Sequence, residues 1–303
     1  MSTQLIIKNA QANGIVVPAF NIPHLPMLKP IVEAVRDENA AALIQVARLE
    51  WKKMKAESLE AVAEEYFKYM DEKHTRLHLD HVPVIDEDYE SVDYLAIIKR
   101  AMKAGYQSVM VDGSRLALNE NIKATREAAD CTHEAGIACE AELGAVVGHE
   151  KDGMSISYEE LFSTRKGFTR IDEAARFAEE SHCDWLSVAV GNIHGAIAEK
   201  TRNQKKPEAR LDVEYVKELR KATKDLPLVL HGGSGVRQEF LLPAIKAGIA
   251  KMNIGTEVRQ AYEFAMLEKQ DIEFGRDAVY QKVRWMLKEY LRLSGAREQI
   301  MTV

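Results

Sequence analysis

Short runs of apolar and β-branched residues alternate along the whole chain with longer segments whose apolar residues recur every three or four positions. The longer pattern, seen for example in residues 59–72 and 211–223, is typical of a helix with one buried face. The short runs are predicted strands, and there are eight of them: residues 14–21, 41–47, 75–81, 108–113, 137–143, 185–191, 226–232 and 249–255. Alternating strands and helices predict parallel βα units, and eight such units predict an α/β protein with a closed (β/α)8 TIM barrel.

One barrel would use nearly all of the 303 residues, so we expect a single TIM-barrel domain over residues 1–303. Residues 277–303 have helical spacing and follow the last predicted strand, which indicates a C-terminal helical extension. Three longer stretches break the rhythm, at residues 81–94, 149–168 and 194–210. They follow the third, fifth and sixth strands, so we expect extended βα loops at the face where barrels build their active sites.

Composition narrows the classes of partner. The formal net charge is −6, which argues against nucleic acid but not against an anionic substrate, because a site can supply its own positive charge. No apolar run approaches the roughly 18 residues that cross a bilayer, and there is no signal-peptide pattern, so we expect no membrane partner and a cytoplasmic location. Cys131, Cys139 and Cys183 are not closely spaced, so we expect reduced core residues rather than a disulfide framework or a cysteine-rich zinc site.

Polar residues collect at the carboxyl ends of the predicted strands. They are Asn21, Asp80, His81, Asp112, Glu142, Asn192, His194, His231 and Asn253. Three imidazoles at the ends of strands three, six and seven, with a fourth position left open, predict a catalytic zinc site that can polarise a carbonyl. In a regular strand Asp80 and His81 would point to opposite faces, so both can serve one site only if the strand ends or bulges there.

Two glycine-containing segments close the last two strands. They are LHGGSG, residues 230–235, and MNIGT, residues 252–256. Glycine lets a ligand approach the backbone closely, so exposed N–H groups and the hydroxyls of Ser234 and Thr256 could bind a phosphate without a formal cation. The pair predicts a phosphate site at the place where barrels often bind phosphate.

In this order the motifs resemble those of the class II, metal-dependent ketose-bisphosphate aldolases, which include fructose-bisphosphate and tagatose-bisphosphate aldolases. The likeness runs through VPAFN, LHLDH, SVMVDGS, EAELG, GNIHG, LHGGSG and NIGT and covers almost the whole chain. It implies zinc-dependent, reversible cleavage of a phosphorylated ketose to dihydroxyacetone phosphate and an aldehyde, through a metal-stabilised enediolate. It also implies a homodimer or homotetramer.

The resemblance implies a role for each matching residue. Asp80 exchanges a proton with the aldehyde-side hydroxyl, and Glu150, in the loop after the ELG motif, removes the α-proton of the donor. The implied zinc ligands are His81, His194 and His231, with Asp112 and Glu142 at a second divalent position and a monovalent cation as a further candidate. The implied substrate-binding residues are Asn21, Gly195, Gly232, Gly233, Ser234, Asn253, Ile254, Gly255 and Thr256.

The chain also departs from the family pattern. Ala47, followed by Arg48, replaces a common serine after strand two, and the loop after strand three begins with Val82 instead of glycine and is longer than usual. Gly255 replaces an aspartate of many fructose-type enzymes and is closer to the small residue of the tagatose-type branch. The usual lysine after GNIHG is missing, so the candidates for a basic contact with phosphate are Lys200, Arg202 and Lys205.

Two other functions remain open at this point. A metal-dependent barrel hydrolase or epimerase also uses strand-end histidines, but such hydrolases typically carry an HxH motif on strand one, which VPAFNIPH lacks. A non-catalytic, aldolase-like binding subunit would keep the fold without turnover. The presence of Asp80, Glu150 and all three histidines argues against that reading.

Overall fold

Eight parallel strands form a closed barrel in simple chain order, which confirms the predicted TIM barrel. The computed structural model describes residues 1–144, 157–193 and 208–301. The strands are β1 Val17–Asn21, β2 Ala42–Ala47, β3 Thr75–Pro83, β4 Ser108–Asp112, β5 Ala138–Leu143, β6 Trp185–Val188, β7 Leu228–Leu230 and β8 Ile249–Ile254. Strands β6 and β7 end earlier than predicted, so Asn192 and His231 lie in the turns that follow them.

Helices surround the barrel. Within the described residues they are α1 Thr3–Ala12, α2 Leu28–Asp37, α3 Arg48–Lys53, α4 Leu59–Tyr69, α5 Tyr94–Ala104, α6 Leu118–His133, α7 Tyr158–Thr164, α8 Ile171–Glu180, α9 Val213–Ala222, α10 Gln238–Ala247, α11 Thr256–Lys269, α12 Ile272–Trp285 and α13 Arg297–Ile300. A 3-10 turn at Leu25–Met27 precedes α2, and a π turn at Met286–Tyr290 continues α12. Among all the residues that the structure describes, no helix combines the length and apolar character needed to cross a membrane.

Two helices differ from the sequence prediction, and polar capping residues explain both. Helix α7 lies inside the stretch predicted to be a loop, where the Ser157 hydroxyl accepts a hydrogen bond from the Glu160 N–H at 3.2 Å. Helix α12 begins before residue 277 because the Asp271 carboxylate accepts from two N–H groups of its first turn. Such caps satisfy N–H groups that have no partner within the helix. Helix α12 packs against α11 and α2.

A small apolar cluster closes the amino-terminal end of the barrel. Ile6 and Ile7 of α1 pack there with Trp185, Val17 and Val229, all of them buried. The larger apolar cluster fills the space between the strands and the surrounding helices. Cys139 and Cys183 are free and buried, as expected, whereas Cys131 is free but only half-buried. With the amino-terminal end closed, the carboxyl end of the barrel is left for ligands.

The turn after β6 is held closely against the segment that leads into α9. The Tyr158 hydroxyl lies 3.0 Å from the carbonyl oxygens of both Gly191 and Arg210, and it accepts from the Arg210 N–H at 2.6 Å. Gly191 has a φ of 107°, and a Cβ atom placed there would lie 2.5 Å from the Arg210 carbonyl oxygen. This turn therefore requires glycine for its backbone conformation and for its close contact.

Replacing Gly191 with alanine should destabilise the fold more than the same change at Gly136. Both residues have positive φ, but nothing lies within 4 Å of a Cβ atom at Gly136. Gly136→Ala should therefore show only the backbone cost of about 1 kcal/mol, whereas the contact with Arg210 should add about 1–3 kcal/mol in Gly191→Ala. Urea unfolding of both variants measures the difference. Equal losses would mean that the Arg210 segment moves away freely.

Candidate active site

Strand β3 is irregular at the point where it carries Asp80 and His81. Its register with β4 shifts between Leu79 and Val82, and His81 has a left-handed φ of 28°. As a result Asp80, His81 and His231 each offer one ligand atom within 4.8 Å of the others. The bulge that the sequence required is confirmed, and it brings both neighbours into one site.

Two histidines and two carboxylates form the centre of this site. His81 Nδ1 lies 3.0 Å from Asp112 Oδ2 and 4.0 Å from Glu142 Oε2. His231 Nδ1 lies 2.9 Å from the same Glu142 oxygen, and the two imidazole rings are 4.5 Å apart. Asp112 ends β4 and Glu142 lies near the end of β5, so four different βα units supply the cluster.

These residues fit a divalent cation. Imidazole nitrogens and carboxylate oxygens are the common protein ligands of catalytic zinc. Glu142 Oε2 is buried and lies 2.9 Å from His231 Nδ1 and 4.0 Å from His81 Nδ1, so a cation at this position would meet both carboxylate and imidazole ligands. A second set of potential ligands, His81, Asp112 and Glu142, also lies within 4.8 Å. The site could thus hold one ion, with carboxylates available for a second.

The carboxylates favour positive charge at this position. Burial alone would lower the pKa of His81, but the carboxylates of Asp80, Asp112 and Glu142 outweigh it and raise the pKa to about 10. Burial would raise the pKa of Asp112, yet its hydrogen bond to His81 and the charge of that ring hold it well below its usual range. The field of the site therefore stabilises a cation, whether it is an imidazolium or a metal ion.

Asp80 is held by three side-chain amides. Its Oδ2 accepts from Asn21 at 2.9 Å and from Gln45 at 3.1 Å, and its Oδ1 accepts from Asn253 at 2.9 Å. Gln45 also donates to the side-chain amide oxygen Oδ1 of Asn21 at 2.9 Å. The carboxylate is thereby fixed from three strands, β1, β2 and β8.

The charge state of Asp80 follows from its neighbours. Burial alone would raise its pKa, but the positive charges of His81 and Lys251 lower the pKa below its ordinary value. Asp80 is therefore ionised at neutral pH and can accept a proton from a substrate hydroxyl.

Glu50 is a second buried carboxyl group beside the same network. Its Oε2 accepts from the Ala47 N–H at 2.8 Å, at the start of α3, and from the Asn21 amide at 3.3 Å. Burial, reinforced by the negative charge of Asp80, raises the pKa of Glu50 to about 8. At neutral pH, Glu50 is therefore largely protonated while its neighbour Asp80 is charged.

The two predicted phosphate-binding segments are adjacent. The Gly233 N–H donates to the Asn253 carbonyl oxygen at 3.0 Å, and a Cβ atom at Gly233 would lie only 2.3 Å from Met252. Gly255 precedes α11, and Thr256 is its first residue. The amino-terminal end of a helix favours anions, because its N–H groups are free of helical partners.

The remaining predicted residues of these segments are placed as follows. Ile254 ends β8, Gly232 has a positive φ of 64°, and the Ser234 side chain is buried in the same loop. The position of Gly255 next to Asn21 leaves room for a Cβ atom, with its nearest contact at 3.5 Å.

The departure at Arg48 has a structural counterpart in the loop after β3. Arg48 Nη1 lies 3.2 Å from Asp86 Oδ2, and the other oxygen of Asp86 accepts from the N–H groups of Asp88 and Glu90. The lengthened loop therefore forms an ordered turn around Asp86, and Arg48 connects this turn to the end of β2.

Several predicted residues lie outside the described residues. They are Glu150, His194, Gly195, Lys200, Arg202 and Lys205. Sequence reasoning, in turn, gave no functional role to four fully buried polar residues of the strands, which are Gln45, His78, Glu140 and Lys251. For His78, Glu140 and Lys251 the available signal was a polar residue two positions before a site residue on the same strand, where side chains share a face. Gln45 offered no such signal, because β2 carries no predicted site residue.

The fold is similar to those of solved aldolase structures. The YdjI aldolase from Escherichia coli K12 is 29% identical, with a TM-score of 0.76 over 97% of this chain and 98% of that one. A candidate fructose-1,6-bisphosphate aldolase from Coccidioides immitis is 25% identical, with the same TM-score over 98% of both chains. The fructose-bisphosphate aldolase of Campylobacter jejuni shares the fold at 19% identity and a TM-score of 0.71, over 97% of this chain and 96% of that one.

The family comparison covers nearly the whole sequence. Residues 1–299 match the family model of class II fructose-bisphosphate aldolase. The motifs, the barrel and the cluster of histidines and carboxylates agree with that match. The chain therefore belongs to the class II fructose-bisphosphate aldolase family, and it is a lyase that performs aldol cleavage.

Proposed function

We propose that this aldolase reversibly cleaves a phosphorylated ketose to dihydroxyacetone phosphate and an aldehyde, with zinc as its catalytic metal. The observation that carries the proposal is the ionised Asp80, fixed by three amides beside the pair His81 and His231. The adjacent glycine-containing turns at the ends of β7 and β8 support a phosphate on the substrate. Family membership favours this chemistry over hydrolysis, epimerisation or a non-catalytic role.

The metal ligands would be His81 and His231, together with His194 by resemblance. Asp112 and Glu142 would serve a second divalent position, since both carboxylates contact the histidines. When bound, zinc supplies a Lewis acid that polarises the ketose carbonyl. A monovalent cation remains a further candidate for the phosphate side.

Asp80 would carry the proton at the bond that breaks. In the cleavage direction its carboxylate accepts the proton of the hydroxyl on the aldehyde side, and that oxygen becomes the aldehyde carbonyl. The electron pair of the broken carbon–carbon bond passes to the dihydroxyacetone phosphate half, whose α-carbon takes up a proton from Glu150, as the family resemblance implies. The lowered pKa of Asp80 supports its role as acceptor in this direction.

The substrate would lie between two groups of residues. Asn21 and Asn253, which already contact Asp80, would orient the sugar hydroxyls. The backbone at Gly232 and Gly233, with Gly195 by resemblance, would face the phosphate together with Ser234 and Thr256. A helix amino terminus and glycine N–H groups can hold such an anion without a nearby lysine.

We also propose a cytoplasmic homodimer or homotetramer. Large apolar side chains are exposed on the C-terminal helices, and they support an interface between subunits there: Phe264, Leu267, Ile272 and Trp285. The most exposed of them, Leu267, is 73% accessible, and covering these side chains with a second subunit would remove their apolar surface from water.

The decisive experiment is a coupled assay for dihydroxyacetone phosphate. Fructose, tagatose and longer ketose phosphates would be supplied in turn, with and without a chelator and with zinc restored afterwards. Release of dihydroxyacetone phosphate that is lost with chelator and regained with zinc is the expected result. A zinc-loaded enzyme that releases none from the whole panel would contradict the proposed reaction.

His231→Ala should lose zinc and activity together. The ring lies at the centre of the cluster, and without it only two of the three predicted imidazole ligands remain to hold the ion. Zinc content after dialysis, measured by atomic absorption, and the rate of cleavage should fall in parallel. Full zinc content in this variant would exclude His231 as a ligand.

Asp80→Ala should retain zinc and lose cleavage. General acid–base residues typically contribute about 10²- to 10⁴-fold to a rate, so kcat should fall by that order while zinc content stays near that of the unmodified enzyme. Thermal unfolding checks that the loss is not one of folding. Cleavage at the original rate would show that another group takes the proton.

A further inference from the structure

A fully buried ion pair lies beneath the active site, and it takes no part in the proton transfers of the proposed aldol cleavage. Lys251 Nζ lies 2.8 Å from one carboxylate oxygen of Glu140 and 3.1 Å from the other, and neither side chain is exposed. The two residues belong to β5 and β8, each two positions before a site residue, Glu142 and Asn253. On a strand, residues two apart share a face, so the pair forms the layer below the site.

Glu140 fixes the orientation of one metal-ligand candidate. Its Oε1 lies 2.9 Å from His231 Nε2, and a carboxylate oxygen can only accept from that nitrogen. When a cation binds Nδ1, the atom 2.9 Å from Glu142, the neutral ring keeps its proton on Nε2 and donates it to Glu140. A carboxylate behind a ligating imidazole sets its tautomer and makes it a stronger ligand. Trp185 Nε1 also donates to Glu140 and holds the carboxylate in place.

Lys251 fixes the orientation of Asn253 in the same way. Its ammonium group donates to the side-chain amide oxygen Oδ1 of Asn253 at 2.6 Å, and the side-chain amide nitrogen of Asn253 then donates to Asp80 Oδ1 at 2.9 Å. An ammonium group can only donate, so it determines which end of the amide faces it. The NH₂ group is therefore directed to Asp80, where a carboxylate needs a donor.

We propose that Glu140 and Lys251 are positioning residues that connect His231 with Asp80 through one buried ion pair. Glu140 sets the metal affinity of the site, and Lys251 sets the geometry of proton transfer through Asn253. Both roles rest on the proposed zinc-dependent aldol cleavage. A buried ion pair as such gives little or no net stability, because desolvation of two charges is costly. The role of this pair is therefore to orient His231 and Asn253, the two side chains that it contacts.

Two double variants separate these roles from a general loss of stability. In E140Q/K251M and in E140M/K251M both charges of the ion pair are removed, so neither partner is left as an unpaired charge. Only the first keeps an acceptor for His231 Nε2, because the glutamine carbonyl can replace the carboxylate oxygen. Methionine leaves the ring free to carry its proton on Nδ1, where the proton competes with a cation.

The first readout is zinc affinity without any substrate, measured by competition with a chromophoric chelator. We expect E140M/K251M to bind zinc about 10- to 100-fold more weakly than E140Q/K251M, the usual effect of losing such a partner. Equal affinities in the two variants would overturn the role of Glu140. Thermal unfolding of both variants shows that each is folded when it is compared.

The second readout is turnover at saturating zinc. E140Q/K251M should lose about tenfold or more in kcat, the size of effect seen when residues behind an active site are changed, with KM little altered. Unchanged kcat in this variant would overturn the role of Lys251. Tyr106→Phe is the matched control, since it removes a buried hydrogen bond to the Leu59 carbonyl without touching the site.

The design separates this inference from the proposed reaction. Zinc affinity requires no substrate, so it tests Glu140 even if the substrate class is wrong. Should the unmodified enzyme release no dihydroxyacetone phosphate from any ketose phosphate, the reaction fails while the affinity comparison stands. Should it cleave normally and both double variants match it, the positioning role fails while the reaction stands.

Discussion

In a regular strand Asp80 and His81 would project to opposite sides of the barrel wall, one into the interior and one into the surrounding helices. The shift of register after Leu79 and the left-handed backbone at His81 remove that constraint. A residue with a side chain resists this conformation by roughly 1 kcal/mol or more. The contacts of the His81 ring with Asp112 and Glu142 hold the backbone there, so local strain and site electrostatics depend on each other.

The same electrostatics divides the carboxyl groups around Asn21. The side-chain amide nitrogen of Asn21 donates to both Asp80 and Glu50. The pKa of Asp80 is nevertheless lowered, whereas the pKa of Glu50 is raised to about 8. The difference arises because the charges of His81 and Lys251 outweigh burial at Asp80, whereas burial and the negative charge of Asp80 dominate at Glu50. Two carboxyl groups with separated pKa values are the usual basis for acid and base roles at one pH. Here the separation keeps one negative charge, rather than two, at the end of β1.

The sequence predicted the barrel and much of the site because both depend on periodicity. Strands were recognisable from their apolar runs, and the ends of β1, β3 and β4 carry the expected Asn21, His81 and Asp112. The early end of β7 was not predictable, since Leu228–Leu230 and the following His231 and Gly232 form one uninterrupted motif. The start of α12 was missed because Asp271 is one acid among many until its two N–H partners are known. The layer beneath the site was missed for a different reason. The prediction considered only polar residues at the carboxyl ends of the strands, and the residues of this layer lie further inside the strands. The alternations His78 and Asp80, Glu140 and Glu142, and Lys251 and Asn253 each place a polar residue one layer deeper.

The Tyr158 hydroxyl joins the carbonyl groups of Gly191 and Arg210, which lie on either side of residues 194–207. Nearby, the Ala209 N–H donates to the Gly235 carbonyl oxygen and the Arg237 N–H donates to the Ala209 carbonyl oxygen, so the residues after the segment are also attached to the turn that is predicted to bind phosphate. The residues that flank this segment are thus held on both sides by the Tyr158 side chain of α7, through their main-chain carbonyl groups. A change in the length of a loop whose two ends are fixed has only a small entropic cost. Changes of sequence or length within residues 194–207 should therefore cost the barrel little stability, because the contacts on both sides of the segment involve none of its residues.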